Sequence, residues 1–596
     1  MVWIRSILTI LCISHLIQYM QQKLRIAIIG GGPTGLLMFK RITEMAHSDI
    51  IVDIFERKEQ LGAGMPYSRE GALEEHVTNV SGNEIPEMVA SVGEWIGTQH
   101  ALIVERFAIN VDNFNQYKVL PRLLFGKYLS DQFDDLLAMA EQNGMQVNVH
   151  YGQEVVDIED DLVDRQIKVS TYERDHRYDL AIICTGHLWP KKLEGKYKDC
   201  FDSPYPPKKI AKRTNHPVAL RGSSLTAIDA IRTLARQNGK FITDGFGKVQ
   251  YQLDQESVNF RIIMHSRNGL LPAVRFHLED SHLSKESIIS ASEIAQVREE
   301  NDGFLPLDYV YQRNFMEGIK ARHPIFYELM KDLSMERFVE MMMYQRERSS
   351  PFELLEQELE QADRSIADRE PIHWKEMLAV LSFAMNYPAK YFSAEDMERL
   401  KKTLMPLISV IIAFAPQSSV RELLALYRSG VLRIVSVGED SHIEPLREGG
   451  IKYHFKNTQG QEEHHQYDTF IDCVGQPHLK FEDLPYAGLL SRNSVCQATL
   501  KFRNQKLAEQ RYQDGQEQVI IDSDGVYRLV VPGVAINDHF QVVGEDGGAN
   551  DRIYMLAVPF IGGYNPDFSG LDFGEEAAKR VSVKIKERLN TKLYKN

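Results

Sequence analysis

The sequence predicts an α/β protein made of two Rossmann-like dinucleotide-binding domains and a largely helical insertion. Three observations predict it. A glycine-rich turn at Gly30–Gly35 follows an apolar strand and opens a helix. A degenerate copy of that turn recurs at Gly222. Between about Leu283 and Arg428 strand signals give way to charged helical periods.

Each element follows in order. LRIAIIG is an apolar run ended by glycines, PTGLLMFKRITEMA carries apolar residues at helical spacing, and DIIVDIFER is a second buried run. Continuous apolar strands joined by a helix imply a parallel sheet covered on both faces. HPVALRG, SLTAIDAIRTLARQNG and VNFRIIMHSR repeat the strand–helix–strand order. Tyr178–Gly186 and Tyr467–Gly475 share one Tyr-Asp to Gly spacing, each a strand ending in a small-residue turn. The expected division is an N-terminal extension or apolar segment at 1–23 and the first part of an FAD-binding domain at 24–215. An NADP-binding domain follows at 216–282, a helical insertion at 283–428, an NADP-domain return at 429–466 and a second FAD part at 467–596. Met341 to Met343, within the insertion, read as packing residues.

The 596 residues are 43% apolar and 26% charged, which fits a globular chain. Acidic residues outnumber basic ones 83 to 69, a net charge of -14 without a long basic run, so nucleic acid is not an expected partner. Five scattered cysteines include no C-x-x-C, which argues against a disulfide framework and points to a reducing, cytoplasmic setting. Cys184 and Cys473 lie inside apolar strands and read as core thiols. No metal-ligand spacing and no G-x-S-x-G elbow appears, and His464-His465 reads as a solvated loop pair. Residues 1–20 are the only membrane-like stretch. They read as an extension ahead of a start at Met20, as an interfacial or membrane anchor, or as a signal peptide.

The chemistry concentrates at the glycine turns. Gly30 allows a tight turn, Gly32 lets backbone approach a pyrophosphate, and Gly35 lets helix and strand pack closely. Pro33 and Thr34 open the helix, whose N-terminus favours phosphate. Glu56, 21 residues after Gly35 and followed by Arg57, ends the second strand. A carboxylate there accepts from ribose hydroxyls and repels a 2'-phosphate, so this site suits FAD or NAD. Gly62 and Gly64, in LGAGMPYS, and the turns at Thr185-Gly186 and Gly475 favour a two-lobed flavoprotein and hence FAD. In the second copy, Gly222, Ser224 and Thr226 sit between strand and helix, and Arg267 follows the next strand. An arginine there can fork a 2'-phosphate, so the second site suits NADPH. Gly222 and Arg267 are 45 residues apart, which requires a detour at 240–258. No general acid or base is assigned. His187, after the Thr185-Gly186 turn, is either near the cofactor or an ordinary loop histidine.

The pattern GGGPTG, FERKEQLGAGMPYS, HVTNVSG, VLPRLLFGKYLSD, YDLAIICTG, LRGSSLTAIDA and HSRNGLLP resembles bacterial FAD/NAD(P)-binding flavoproteins grouped with the FAD-dependent urate hydroxylase-like domain. These are related to flavin-containing and N-hydroxylating monooxygenases. The resemblance implies that Gly30, Gly32, Gly35 and Glu56 hold the ADP part of FAD. It places Gly62, Gly64 and Pro66 along the flavin, Asn79 near its ring and Arg122 near the cofactor, with Gly222, Ser224, Thr226 and Arg267 on NADPH. It also implies an NADPH-consuming monooxygenase, with molecular oxygen and a small-molecule substrate, an amine or amino acid by analogy. A flavin-dependent dehydrogenase or reductase without oxygen insertion, and a non-catalytic nucleotide sensor or scaffold, are the alternatives.

Overall fold

The computed structural model describes residues 23–99, 101–107, 109–111, 114–245, 247–278, 288–567 and 570–594. The expectations for residues 1–20 and Cys12 lie outside these. β1 (Leu24–Ile29) is buried except at Arg25. Pro33 starts α1 (Pro33–Thr43), where its ring presets the helical φ and its missing N–H is not needed. β2 (Ile50–Glu56), β3 (Val77–Ser81), α2 (Arg122–Gln142), β4 (Gln146–Tyr151) and β5 (Leu180–Ile183) follow.

The chain then enters a second sheet through β6 (Cys200–Phe201), β7 (Pro217–Arg221), α3 (Leu225–Asn238) and, after a hairpin of β8 (Gly239–Thr243) and β9 (Val249–Leu253), β10 (Arg261–Ser266). That hairpin is the detour that stretches the glycine-to-arginine spacing. Helices succeed one another from Ala291 to Ile411, α4 (His373–Met385) among them. α5 (Gln417–Arg428) leads back to β11 (Leu432–Ser436). A small antiparallel sheet of β12 (His442–Pro445), β13 (Ile451–Lys456) and β14 (Glu462–Tyr467) precedes β15 (Thr469–Asp472). The chain finally returns to the first sheet as β16 (Gln541–Val543) and β17 (Ala549–Met555) and closes with α6 (Gly570–Tyr594).

The first sheet has the order β16-β17-β5-β1-β2-β4 and is parallel except for β16. The second has the order β6-β15-β7-β10-β11 and is parallel throughout. Parallel sheets must be covered on both faces. α1, α2 and α6 pack into the apolar core of the first, and α3 and α5 into that of the second. Most helices from Ala291 to Ile411 build a core of their own with the strands around Leu500 and Leu529, while the helix Pro351–Asp368 packs into the core of the second sheet.

Three expected boundaries change. The strand Thr469–Asp472 pairs with β7, so the second sheet extends past 466. β6 pairs with β15, so that sheet also begins before 216. α5 covers the second sheet and feeds its edge strand, so it is a crossover helix of that sheet and not the end of an insertion. His464 and His465 lie within β14, not in a loop.

Candidate functional site: two matched dinucleotide cradles

The two sheets end in the same backbone construction. In the first, the Gly30 N–H donates to the Phe55 carbonyl at 2.9 Å and the Cys184 N–H to the Ile29 carbonyl at 2.8 Å. In the second, the Gly222 N–H donates to the His265 carbonyl at 2.8 Å and the Cys473 N–H to the Arg221 carbonyl at 2.8 Å. Gly30 has φ +102°, and a Cβ there would lie 2.8 Å from the Cys184 carbonyl oxygen. Gly222 has φ +109°, and its Cβ would lie 2.8 Å from the Cys473 carbonyl oxygen. Only glycine tolerates both demands. The repeated Tyr-Asp strands are therefore the third strand of each cradle, one per sheet. Gly475 accordingly belongs to the second cradle, 3.6 Å from Thr226 Oγ1 when given a Cβ.

A cavity of about 1120 Å³ opens at the carboxyl ends of β1, β2 and β5. It exceeds the ~300–1,000 Å³ of ordinary small-molecule pockets, as a dinucleotide requires. Gly30, Gly32, Pro33, Thr34, Glu56, Arg57, Gly64, Pro66, Thr185 and Gly186 line it. A Cβ on Gly32 would lie 3.3 Å from the Gly64 Cα, so the two glycines leave room where a phosphate can approach backbone. Glu56 accepts from the Gly31 N–H at 2.9 Å and from the Lys58 N–H at 3.0 Å. Burial pushes its carboxyl up and outweighs these two N–H groups. Each oxygen keeps a lone pair for a ribose hydroxyl. An apolar wall of Met65, Tyr67, Val558, Phe560, Leu571 and Phe573 completes the cavity. α6 begins at this wall and brings its positive dipole end there, with the Phe573 N–H donating to Asp572 Oδ1 at 3.0 Å.

Several expected residues sit elsewhere. Gly62, with φ +83°, packs against the Leu129 carbonyl of α2 and is outside the cavity lining. Gly35 packs against the Gly30 carbonyl, the helix–strand contact anticipated for it. The Asn79 carbonyl accepts from buried Arg275, which also pairs with Glu84. Arg122 is a tie between the sheets. Its Nη1 reaches Asp229 Oδ2 on α3 at 2.6 Å, and its Nε donates to the Val77 carbonyl at 2.9 Å. The Tyr205 hydroxyl also donates to Asp229 Oδ2, at 2.7 Å. Burial pushes the Asp229 carboxyl up, but Arg122, His76 and the Tyr205 hydroxyl hold it below the usual carboxylate range.

The second cradle differs from the first in charge. The matched hydrogen bonds align Phe55 with His265, and therefore Glu56 with Ser266 and Arg57 with Arg267. A buried serine stands where the first cradle has its acid. Arg267 follows, exposed, with no side-chain partner among the described residues. Ser224 caps α3 in position, yet its side chain makes no capping bond. Sequence reasoning found Arg267 but missed Ser266, which only strand register reveals.

The two cradles are joined where their third strands end. The Leu188 N–H donates to Gln476 Oε1 at 2.8 Å and Gln476 Nε2 donates to the Leu188 carbonyl at 2.8 Å. Trp189 Nε1 donates to the Gly475 carbonyl at 2.9 Å. His187 lines the cavity, with its ring 5.2 Å from that of Trp189. Its Nδ1 is buried without a hydrogen-bond partner among the described residues. Burial lowers its pKa, against a hydrogen bond with Gln476, which favours the neutral ring. An orphaned nitrogen at the cavity wall is what a ligand atom would satisfy.

Asp572, in the first turn of α6 between cavity residues Leu571 and Phe573, has its pKa pushed up to about 7. Burial dominates, the Phe573 N–H opposes it, and Asp567 and Glu84 add to it. The folded chain then holds this proton far more tightly than the unfolded one, whose carboxyl titrates near ~3.9. Stability should therefore fall as pH rises from about 4 to about 7. Urea midpoints measured across that range should decline for the native chain and flatten for Asp572→Asn. Equal slopes would remove Asp572 from the account.

Residues 27–188 match the family described as FAD-NAD(P)-binding, and residues 290–412 match the YdhS-like middle domain. The first segment thus matches an FAD-NAD(P)-binding domain, and the two cradles of the fold suit FAD and a nicotinamide nucleotide. The chain is similar to the uncharacterized protein YdhS of Escherichia coli (strain K12), 28% identical over 469 residues, covering 78% of this chain and 85% of that protein. Among solved structures it is similar to DfoA, the desferrioxamine pathway cadaverine monooxygenase of Erwinia amylovora, at 10% identity and TM-score 0.43, covering 95% of this chain and 94% of that one. It is also similar to the bacillithiol disulfide reductase YpdA of Staphylococcus aureus, at 10% identity and TM-score 0.40, covering 95% and 99%. No helix among the described residues is long and apolar enough to cross a membrane.

Proposed function

We propose that this protein is an FAD-dependent monooxygenase that draws reducing equivalents from NADPH and hydroxylates a small molecule, an amine or amino acid in the preferred reading. The observation that carries the two-nucleotide part is the pair of matched cradles with opposite charge preference. When bound, FAD supplies the redox chemistry, accepting electrons from the nicotinamide and handing them on. The residues of the chain bind, orient and exclude water. Gly30, Gly32 and Gly64 admit the pyrophosphate of FAD, Glu56 receives its ribose, and Thr185, Gly186 and His187 border it. Gly222, Ser224 and Thr226 hold the pyrophosphate of NADPH, and Ser266 and Arg267 accommodate its 2'-phosphate. The apolar wall from Met65 to Phe573 excludes water where the electrons are used.

The oxygen-inserting reading draws support from the thiols. Cys184 is buried, and burial alone drives its thiol far above the range in which it could react. Cys200, Cys473 and Cys496 are free, and no two cysteines of the sequence form a C-x-x-C relay for a disulfide substrate. The test is a survey of amines and amino acids for NADPH oxidation that consumes oxygen and yields a hydroxylated product by mass spectrometry. NADPH oxidation that never consumes oxygen would favour a dehydrogenase.

Arg267→Ala should raise the KM for NADPH roughly ten- to a hundredfold, because a charge-assisted contact is worth about 1.5–3 kcal/mol. The KM for NADH should hardly move. Steady-state kinetics with both nucleotides measures this, and equal effects would contradict the assignment of the 2'-phosphate site.

A further inference from the structure

Outside both cradles, the small antiparallel sheet carries an arrangement that neither the nucleotides nor the proposed reaction uses. Register places His442 opposite His454 and His454 opposite His464 across β12, β13 and β14. Directly opposed residues on antiparallel strands project to one face, with Cβ atoms about 4.5–5.5 Å apart. Three imidazoles therefore stand in a row. The rings of His442 and His454 are stacked 4.8 Å apart at 4°, and those of His454 and His464 are 6.0 Å apart at 40°. Glu444, two residues along β12, shares that face, and its carboxylate lies 3.0 Å from His454 Nε2. His465 faces the other way, 5.2 Å from the Phe455 ring, and takes no part. His442, His464 and Glu444 are exposed.

We propose that His442, His454 and His464, with Glu444 beside them, form a surface site for a late first-row divalent cation such as Zn²⁺ or Ni²⁺. Neutral imidazole is the preferred nitrogen ligand of these ions, at about 2.0–2.1 Å for zinc. Tetrahedral ligands at that length stand ~3.3 Å apart. As the side chains stand, no three donors among the described residues meet at one point. The first two rings lie nearly parallel, and the third is tilted by 40° from its neighbour. Exposed imidazoles on opposed Cβ atoms need only turn about χ1 and χ2 to converge. His454 would exchange its contact with the Glu444 carboxylate for the ion, and Glu444 would serve as the fourth ligand or orient a ligating ring. Lys452 and Lys456 stand two residues to either side of His454 on the same face, opposite the carboxylates of Glu444 and Glu462. Calcium and magnesium, which demand several oxygen ligands, are not accommodated.

The experiment is calorimetric titration of the tag-free full chain with ZnCl₂ and NiCl₂ at pH 7.5, with CaCl₂ as the contrast. One ion per chain is expected for the first two and no heat for the third. His454→Ala should weaken binding at least about tenfold, and Glu444→Gln by less. His464→Asn, at an exposed position, repeats the test with little risk to folding, which circular dichroism checks. A native chain that binds neither ion, or variants that bind as tightly as it does, would overturn the site.

Discussion

Gly222→Ala is expected to give a protein that still takes up FAD but whose flavin NADPH no longer reduces. Gly222 has φ +109°, a region that side-chain-bearing residues avoid, and its Cβ would fall 2.8 Å from the Cys473 carbonyl oxygen. Relief requires β7 and β15 to separate at their carboxyl ends, which is where the pyrophosphate of NADPH would lie. The first sheet shares none of these strands. NADPH should lose roughly a hundredfold or more in affinity, about 2.7 kcal/mol, while FAD affinity stays near native. Gly30→Ala should have the reciprocal outcome, a chain that does not retain flavin, because the same clash falls against the Cys184 carbonyl. Fluorescence titration with FAD and anaerobic reduction by NADPH measure both variants. If Gly222→Ala abolished flavin uptake and left NADPH binding intact, the assignment of the cradles would be reversed.

Arg122→Met is expected to destabilise the native chain by about 3–5 kcal/mol, the cost of leaving a buried charge without its partner. The stranded group is Asp229, whose side chain is 7% exposed and whose remaining donor is the Tyr205 hydroxyl. The pair joins the first turn of α2, which packs on the first sheet, to the second turn of α3, which packs on the second. Its loss should therefore loosen the two lobes together as well as lower overall stability. Arg122→Met combined with Asp229→Leu should recover most of the loss, since replacing both members of a buried pair by apolar groups is often nearly neutral. Urea unfolding of the two variants separates the cases. A single variant as stable as the native chain would show that the tie carries no energy.

The first cradle was readable because its fingerprint lies within some thirty residues: strand, three glycines, helix, strand and Glu56. The second was harder. Two glycines are replaced by small residues, and the hairpin between Gly239 and Leu253 separates Gly222 from Arg267. The charge change was half legible. Arg267 stands out in any reading, whereas Ser266 matters only because register aligns it with Glu56. The family resemblance places Arg122 near the cofactor, whereas its ion pair could not be read locally, because its partner Asp229 lies 107 residues away on the helix of another sheet. The boundary near residue 467 failed for a related reason. A strand's own residues state that it is buried, not which sheet buries it, and Thr469–Asp472 pairs with β7 some 250 residues earlier. His464 and His465 looked alike as neighbours, yet the two-residue period of a strand sends them to opposite faces.

The central claim is that nucleotide cradles of opposite charge preference on one chain pass reducing equivalents from NADPH to FAD. Anaerobic mixing of the FAD-reconstituted chain with NADPH, followed at the flavin absorbance band, tests it most directly. The account predicts that the band bleaches with one equivalent of NADPH and much more slowly with NADH at the same concentration. A chain that takes up no FAD, or a bound flavin that NADPH leaves oxidised, would contradict it.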